Sequence, residues 1–337
     1  GANRGLSVAL SDIIPNFAGQ EFITGTGPGT QALVRVWDQS GNLLTSFKPF
    51  GQFSGGVFVA TGDINNDGQN ELIVSTGAGT TGRVKVFQYS GGGLQTLGRF
   101  DPFGPNYSGG VDIAVGDVTG DRASEIVVGQ QSQGSQVKVF AITSSPSGGG
   151  SMFVPIRTFN PYGKNFTGGV SLAAANIDAR RDTSGNPYEF NYAEIITGKA
   201  SQEPRIKIFD AQLPTVTLRA SYMAFDSSFG SGSAGVNVAA GSTDGRRGAE
   251  IYVASKSFSR IRIFDGESGI QLGEVFPFIG TSRMTNMAIG STDDDFLDIY
   301  NVANLVVVRA DGPYGQAPLV YPGQLNSPAG LNGSFFA

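Results

Sequence analysis

A short block of this chain repeats itself. Val34-Arg35-Val36-Trp37-Asp38 returns as Val84-Lys85-Val86-Phe87, Val137-Lys138-Val139-Phe140, Ile206-Lys207-Ile208-Phe209-Asp210 and Ile261-Arg262-Ile263-Phe264-Asp265, with a worn copy at Val306-Val307-Val308. Successive copies lie 45 to 69 residues apart, near the roughly 40–50-residue period of propeller-type repeats. Such a period constrains the fold strongly. One supersecondary unit of that size cannot bury its own apolar faces, so each copy needs its neighbours for a core.

Further blocks recur in step with the first. Gly56-Val57-Phe58-Val59-Ala60-Thr61-Gly62-Asp63 matches the stretches from Gly110, Gly169 and Gly235, and Glu71-Leu72-Ile73-Val74 matches those from Glu125, Glu194 and Glu250. Linking blocks follow at Phe47-Lys48-Pro49-Phe50-Gly51, Phe100-Asp101-Pro102-Phe103-Gly104, Phe159-Asn160-Pro161-Tyr162-Gly163 and Phe276-Pro277-Phe278. Each unit reads as four short β-branched runs divided by Gly, Asn, Asp and Pro. Radial packing of such four-stranded sheets buries both faces of each and leaves only short edges. The expectation is an all-β protein: one β-propeller domain over residues 1–337 with six four-stranded blades. Units start near Gly5, Gly56, Gly110, Gly169, Gly235 and Met284, and residues 324–337 form a tail or closing segment. Insertions at 143–151 and 179–192 lengthen two loops. The 50 glycines and the low charged content of 15% suit short strands and tight turns.

Charge and missing residue types exclude several functions. The net charge is −5, against the clustered Lys and Arg that nucleic acid requires. No apolar run approaches the ~20 residues of a spanning helix, so membrane insertion is not expected. The start Gly1-Ala2-Asn3-Arg4 does not read as a signal peptide, so any leader is expected to have been removed. The chain holds no Cys and no His, which removes thiol chemistry, His-based triads and His-ligated zinc. Hard oxygen ligands remain, and these select Ca²⁺ or Mg²⁺.

Such oxygens occur in register. The second unit carries Asp63-Ile64-Asn65-Asn66-Asp67-Gly68-Gln69-Asn70-Glu71. Asp63, Asn65, Asp67 and Glu71 offer side-chain oxygens, Gln69 a backbone carbonyl, and Gly68 a sharp turn, as in an EF-hand loop. An EF-hand would place Glu where Val74 stands, so this is a strand-loop-strand calcium site. The third unit supplies Asp117, Thr119, Asp121, the carbonyl of Ala123 and Glu125, with Arg122 in the place of the turn glycine. Weaker copies are Asn176, Asp178 and Glu194 in the fourth unit, and Asp293 and Asp295 among the acidic residues of the sixth. The fifth has Ser242, Asp244, Arg246 and Glu250, where the Arg246 guanidinium stands in for a cation; the first has lost its ligands. Asx-rich turns can also form without any metal.

The sequence of Phe-Gly, Gly-Gly-Val, Gly-Asp and then the Asp63–Glu71 loop resembles FG-GAP repeats, the unit of integrin α-subunit propellers and of many bacterial extracellular proteins. Ile23-Thr24-Gly25-Thr26-Gly27-Pro28-Gly29, leading into Val34, is similar to the bacterial branch. The resemblance implies a propeller with Ca²⁺ in its hairpin loops and an extracellular or cell-surface setting. Integrin-type propellers have seven blades, so seven is the alternative count. The functional expectation is a non-catalytic adhesion or ligand-binding module, with an extracellular protein or glycan as ligand. The alternatives are a structural subunit that self-assembles into a surface layer or filament, and a polysaccharide-acting enzyme or lectin.

Arg35, Lys85, Lys138, Lys207 and Arg262 share one repeat position. The expectation is that their stems pack between blades and their heads pair with carboxylates. Trp37 is expected in the core, and Phe50, Phe103, Tyr162 and Phe278 as wedges between blades. The glycosylation-type tripeptides at Asn106, Asn165 and Asn332 are explained by repetition and carry no separate expectation.

Overall fold

The structure is a computed structural model. It describes residues 6–15, 17, 19–144, 151–178, 192–226, 234–243, 248–277, 285–290, 304–309, 319–321 and 334–335. Six four-stranded antiparallel sheets are formed, each from consecutive strands. The first holds β1 (Leu6–Ser11), β2 (Glu21–Thr26), β3 (Val34–Trp37) and β4 (Leu43–Phe47). The second holds β5 (Val57–Gly62), β6 (Glu71–Thr76), β7 (Val84–Ser90) and β8 (Gly93–Phe100). The third holds β9 (Val111–Gly116), β10 (Glu125–Gln130), β11 (Val137–Ser144) and β12 (Ser151–Phe159). The fourth holds β13 (Val170–Ala175), β14 (Glu194–Lys199), β15 (Arg205–Asp210) and β16 (Thr217–Met223). The fifth holds β17 (Val236–Gly241), β18 (Glu250–Ser255), β19 (Ile261–Asp265) and β20 (Gln271–Val275). The sixth holds β21 (Thr285–Gly290), β22 (Asn304–Arg309), β23 (Leu319–Tyr321) and β24 (Ser334–Phe335).

The innermost strands β1, β5, β9, β13, β17 and β21 neighbour one another in that order, and β21 returns to β1. This is a β-propeller. Five blades are full; the sixth sheet ends in strands of three and two residues. The expected six four-stranded blades are present as five full ones and a sixth with short outer strands. Within the tail, Ser334–Phe335 pairs with β23 and not with the first blade. The core of the 143–151 insertion, most of the 179–192 insertion, Met284, Phe278 and Asn332 lie outside the described residues. Among the described residues, no helix is long and apolar enough to cross a membrane.

Position within the blade explains the residue pattern. Second strands lie between neighbours on both faces, so β6 is buried throughout and reads as a near-continuous apolar run instead of an alternating one. Leu72, Ile73 and Val74 are fully buried, each contributing about 1.5–3 kcal/mol relative to an exposed side chain. Outer strands such as β4 are largely exposed and are correspondingly more polar.

At the fourth place of every inner strand stands alanine: Ala9, Ala60, Ala114, Ala173, Ala239 and Ala288. Each packs against aliphatic residues of the next blade. Ala9 clusters with Val57 and Val59, Ala60 with Val111 and Ile113, Ala114 with Val170 and Leu172, and Ala173 with Val236 and Val238. Ala239 meets Met287 and Ile289, and Ala288 meets Val8 and Leu10, which closes the ring. Where neighbouring inner strands face each other, the blades leave room for a methyl group and little more.

Two further contacts join adjacent blades. In all five full blades the third strand shifts register at one place, between Val36 and Trp37, Val86 and Phe87, Val139 and Phe140, Ile208 and Phe209, and Ile263 and Phe264. In the second to fifth blades the aromatic just after the shift packs edge-on or tilted against a ring from the preceding blade: Phe87 against Phe47, Phe140 against Phe100, Phe209 against Phe159 and Phe264 against Tyr222, at 4.6–5.2 Å. Trp37, in the first blade, is half-buried and donates its indole N–H to Thr24 Oγ1 at 3.0 Å.

The basic residues form the second contact. Lys85, Lys138 and Lys207 donate from Nζ to the carbonyls of Pro49, Pro102 and Pro161 at 2.7–2.8 Å. Their ammonium groups lie 5.4–5.6 Å from the rings of Phe50, Phe103 and Tyr162. Arg262 repeats the arrangement on the Ala224 carbonyl and the Phe225 ring. The expected carboxylate partner is thus replaced, for the lysines, by a carbonyl and an aromatic face. These cations latch the incoming linker, and the wedge role expected of Phe50, Phe103 and Tyr162 is what they perform.

The alanine ring yields a direct test. Ala114→Leu inserts three carbons against Val170 and Leu172, and overpacking of this kind costs about 1–3 kcal/mol. Thermal unfolding should show a lower midpoint than wild type; an unchanged midpoint would mean the inner ring is not closely packed.

Candidate metal loops and the repeat family

The loops between first and second strands lie at one end of the ring. In every full blade the second strand opens with a glutamate: Glu21, Glu71, Glu125, Glu194 and Glu250, between 0% and 4% exposed. One carboxylate oxygen of each accepts a backbone N–H from the residue two beyond the inner strand. The donors are Ile13, Ile64, Val118, Ile177 and Thr243, at 2.8–3.0 Å. The glutamate therefore ties the loop shut, a role that the metal reading of the sequence did not include. The recurring Glu at the head of an apolar run was the available signal.

Around this tie the blades diverge. In the second blade, Gly68 N and Asp67 N donate to the two oxygens of Asp63 at 2.8 and 3.1 Å. Gln69 N donates to Asp67 Oδ1 at 2.9 Å. Asn65 Nδ2 sits between Asp67 Oδ2 (3.0 Å) and Glu71 Oε1 (3.1 Å), while its Oδ1 accepts Asp67 N. Gln88 Nε2 adds a further donor to Asp67. Here amide groups bridge the carboxylates, so for Asn65 to act as an oxygen ligand its side-chain amide would have to turn over.

In the third blade, one carboxylate oxygen from each of Asp117, Asp121 and Glu125 lies within 4.8 Å of the others. Oxygens held at about 2.4 Å by one Ca²⁺ can be at most about 4.8 Å apart, so this donor set fits a hard cation. Gly120 N and Arg122 N donate to Asp117, and Ala123 N to Asp121 Oδ1. Thr119 Oγ1 donates to Glu125 Oε1 at 2.9 Å. Arg122, in the place of the turn glycine, adopts φ +80°, beside +86° for Gly68, and keeps the loop path at a local cost of about 1 kcal/mol.

In the fourth blade, Asp178 and Glu194 face a guanidinium. Arg219 NH2 donates to Asp178 Oδ1 at 2.7 Å, and NH1 to Asp178 Oδ2 at 2.9 Å and to Glu194 Oε1. The expected ligand pair already shares one cation, and Asn176 Oδ1 accepts the Asp178 N–H. Arg246 and Asp244, and Asp293 and Asp295 of the sixth unit, lie outside the described residues. In the first blade, Glu21 Oε1 is buried with no partner. In the fifth, Thr243 donates its hydroxyl to Glu250 and meets the Tyr252 hydroxyl.

Burial dominates the titration of these groups. It pushes Glu21, Glu71 and Glu125 up to about 7, with Asp12 raising Glu21 further, Asp67 and Asp63 raising Glu71, and Asp121 and Asp117 raising Glu125. Burial also pushes Glu194 up, with Arg219 pulling it back. The loops are joined from blade to blade. Ser124 N donates to Asp63 O, Ala193 N to Asp117 O and Ala249 N to Asn176 O.

Residues 63–128, from the first ligand of one loop to the strand beyond the next, match the family model of the FG-GAP-like repeat. That stretch carries an FG-GAP-like repeat, within a chain that folds as a β-propeller. Two solved structures resemble it. "Structure of Dos1 propeller" aligns with TM-score 0.46 and 16% identity over 91% of this chain and 64% of that one. "Crystal Structure of Mitotic Checkpoint Complex" aligns with TM-score 0.48 and 12% identity over 89% of this chain and 72% of that one. No curated protein matches the sequence.

Along the axis of the propeller runs an open depression of about 250 Å³, lined by all six inner strands. Its polar end carries Ser7, Asp112, Ser171 and Asn237. These groups are spent on the ring itself. Ser7, Asp112 and Ser171 accept the N–H of Val59, Leu172 and Val238 in the next blade, at 3.0–3.2 Å. Burial raises Asp112 to about 6 and lowers Lys256 to about 8, and their opposite charges offset part of both shifts.

Glu21 gives the cleanest titration test. Its carboxyl ionises near 4.5 in a free chain and near 7 when folded. Its contribution is fully present below the unfolded value and is lost as pH rises to 7, a loss of up to about 3 kcal/mol. Glu21→Gln removes this dependence. In chelator, its melting temperature should fall less between pH 5 and pH 8 than that of wild type; equal falls would refute the assignment.

Proposed function

We propose that this FG-GAP propeller is a calcium-stabilised, non-catalytic module of the cell exterior that presents a rigid ring to a protein or glycan ligand. The observation that carries the calcium reading is the convergence of Asp117, Asp121 and Glu125. Three carboxylates in one tight loop repel one another unless a proton or a cation intervenes. Backbone N–H groups and the Thr119 hydroxyl supply partial charge only. A flexible loop of side-chain and carbonyl oxygens suits Ca²⁺ better than Mg²⁺, which holds to a near-octahedral shell and keeps its waters. Extracellular modules bind Ca²⁺ with dissociation constants of roughly 10⁻⁴–10⁻³ M, which favours a site filled outside the cell. The second-blade loop is read as a further site, reached when Asn65 turns its oxygen inward.

Melting in excess Ca²⁺ and in chelator tests this reading, because an ion that binds only the folded state must raise its melting temperature. Wild type should melt higher in Ca²⁺ than in chelator. Asp117→Asn combined with Asp121→Asn should remove much of the difference, while Asp67→Ala should reduce it by the contribution of the second blade. No difference in wild type would defeat the calcium reading.

A second reading, self-assembly into a layer or filament, is favoured by the rim of the fourth and fifth blades. Leu213, Leu218, Ile270 and Phe276 are 52–65% exposed there. Light scattering should then show association that rises with concentration and weakens in Leu218→Ser/Phe276→Ser; a monomer at all concentrations would sink it.

A further inference from the structure

We propose that the fourth blade carries its cation as part of the chain: the Arg219 guanidinium takes the place on Asp178 and Glu194 that a bound metal ion takes in the neighbouring loops. The inference rests on the calcium reading of those loops and sharpens it, since it makes one blade independent of metal.

The argument begins with the register shift in the third strands. At each shift the outer strand carries one extra residue. Pairing of Val36 with Thr45 and Trp37 with Leu43 leaves Leu44 over. The same step leaves Leu97, Ile156 and Leu272 in the second, third and fifth blades. In the fourth blade it leaves Arg219. The four aliphatic residues pack against the apolar clusters of their blades. One structural position thus holds an aliphatic side chain in four blades and a guanidinium in the fifth case.

The guanidinium does not turn to solvent. It grips Asp178 with two nitrogens and reaches Glu194 with one of them. The Asp178 side chain is 3% exposed, that of Glu194 0%, and that of Arg219 18%. Asp178 follows the inner strand at the spacing of Asn65 and Thr119, and Glu194 corresponds to Glu71 and Glu125. The group that binds this pair is therefore on the loop's inner side, where an ion would meet the same two places. Arg219 is held firmly in its charged form by Asp178. Two buried carboxylates without a cation would be costly, because removing one partner of a buried pair strands the other.

The test compares melting in Ca²⁺ and in chelator for wild type, Arg219→Leu, Arg219→Gln and Arg219→Lys. The Leu variant installs the residue type of the other blades. In chelator it should melt roughly 5 °C or more below wild type. Its shift on adding Ca²⁺ should exceed that of wild type, because the ion now fills the vacated place. Arg219→Gln, which keeps the length and removes the charge, carries the same expectation if the Leu variant does not accumulate folded. Arg219→Lys keeps the charge and should show only the wild-type shift. A Leu or Gln variant whose Ca²⁺ shift equals that of wild type would overturn the proposal, since the ion pair would then be structural without being a substitute for metal. The two readings fail separately. A wild type without a shift beside a Leu variant with one would refute calcium in the second and third blades and still leave Arg219 in the place of an ion on Asp178 and Glu194.

Discussion

A carboxylate buried at the mouth of each hairpin is the interaction on which the rest depends. The glutamate ties its loop by accepting a backbone N–H, and it can do so only from inside the blade, where it is almost wholly removed from water. Burying that charge is expensive unless the second oxygen is satisfied as well. The first four blades settle the same problem with what is within reach: an amide from Asn65, a hydroxyl from Thr119, a guanidinium from Arg219, or, at Glu21, nothing among the described residues. Whether a blade wants a cation is thus a question of charge balance at one oxygen, and the answer differs around the ring.

The same loops are bonded in series, so their local balance is not private. Asp117 accepts Ala193 N from the next blade, while Ser124, one residue before Glu125, donates to Asp63 of the previous one. The third-blade loop is consequently fixed on both sides. In the second, third and fourth blades a lysine and aromatic latch holds the linker that enters the blade. A charge-assisted bond of this sort contributes about 1.5–3 kcal/mol, and the ring contact about 0.5–1 kcal/mol more. Ring closure therefore rests on many modest contacts of one type repeated, with the alanine ring setting how closely the blades approach.

Much of this was legible in the sequence because the repeat reports on itself. The inner strands begin one residue after Gly5, Gly56, Gly110, Gly169, Gly235 and Met284, and the loops with Asp63 and Asp117 were identifiable from spacing alone. Other features were not, for physical reasons. Arg219 lies 25 residues beyond Glu194 on a different strand, and only the extra residue at the register shift turns it inward. The partner of the lysines was misjudged because a proline carbonyl has no signature in composition. The second-blade loop looked the better site on paper, since its turn residue is Gly68. The third gathers its carboxylates more closely because Thr119, unlike Asn65, places no amide between them.

Where recognition could occur follows from what the inward chemistry consumes. The repeated cations are committed to linkers, the linker rings to those cations, and the axial polar groups to the neighbouring inner strands. The axis itself is narrowed by methyl groups on every side. What remains available among the described residues is the rim, and it is most apolar on the fourth and fifth blades. Strand β16 joins the two themes. Leu218 points outward, 52% exposed, and its neighbour Arg219 points inward to hold Asp178 and Glu194. A strand pinned by its own cation offers its outer side chains on a fixed support whether or not metal is present. On the calcium reading proposed above, the outer face of such a blade does not depend on the ion, and a partner docking on that rim would find it preorganised.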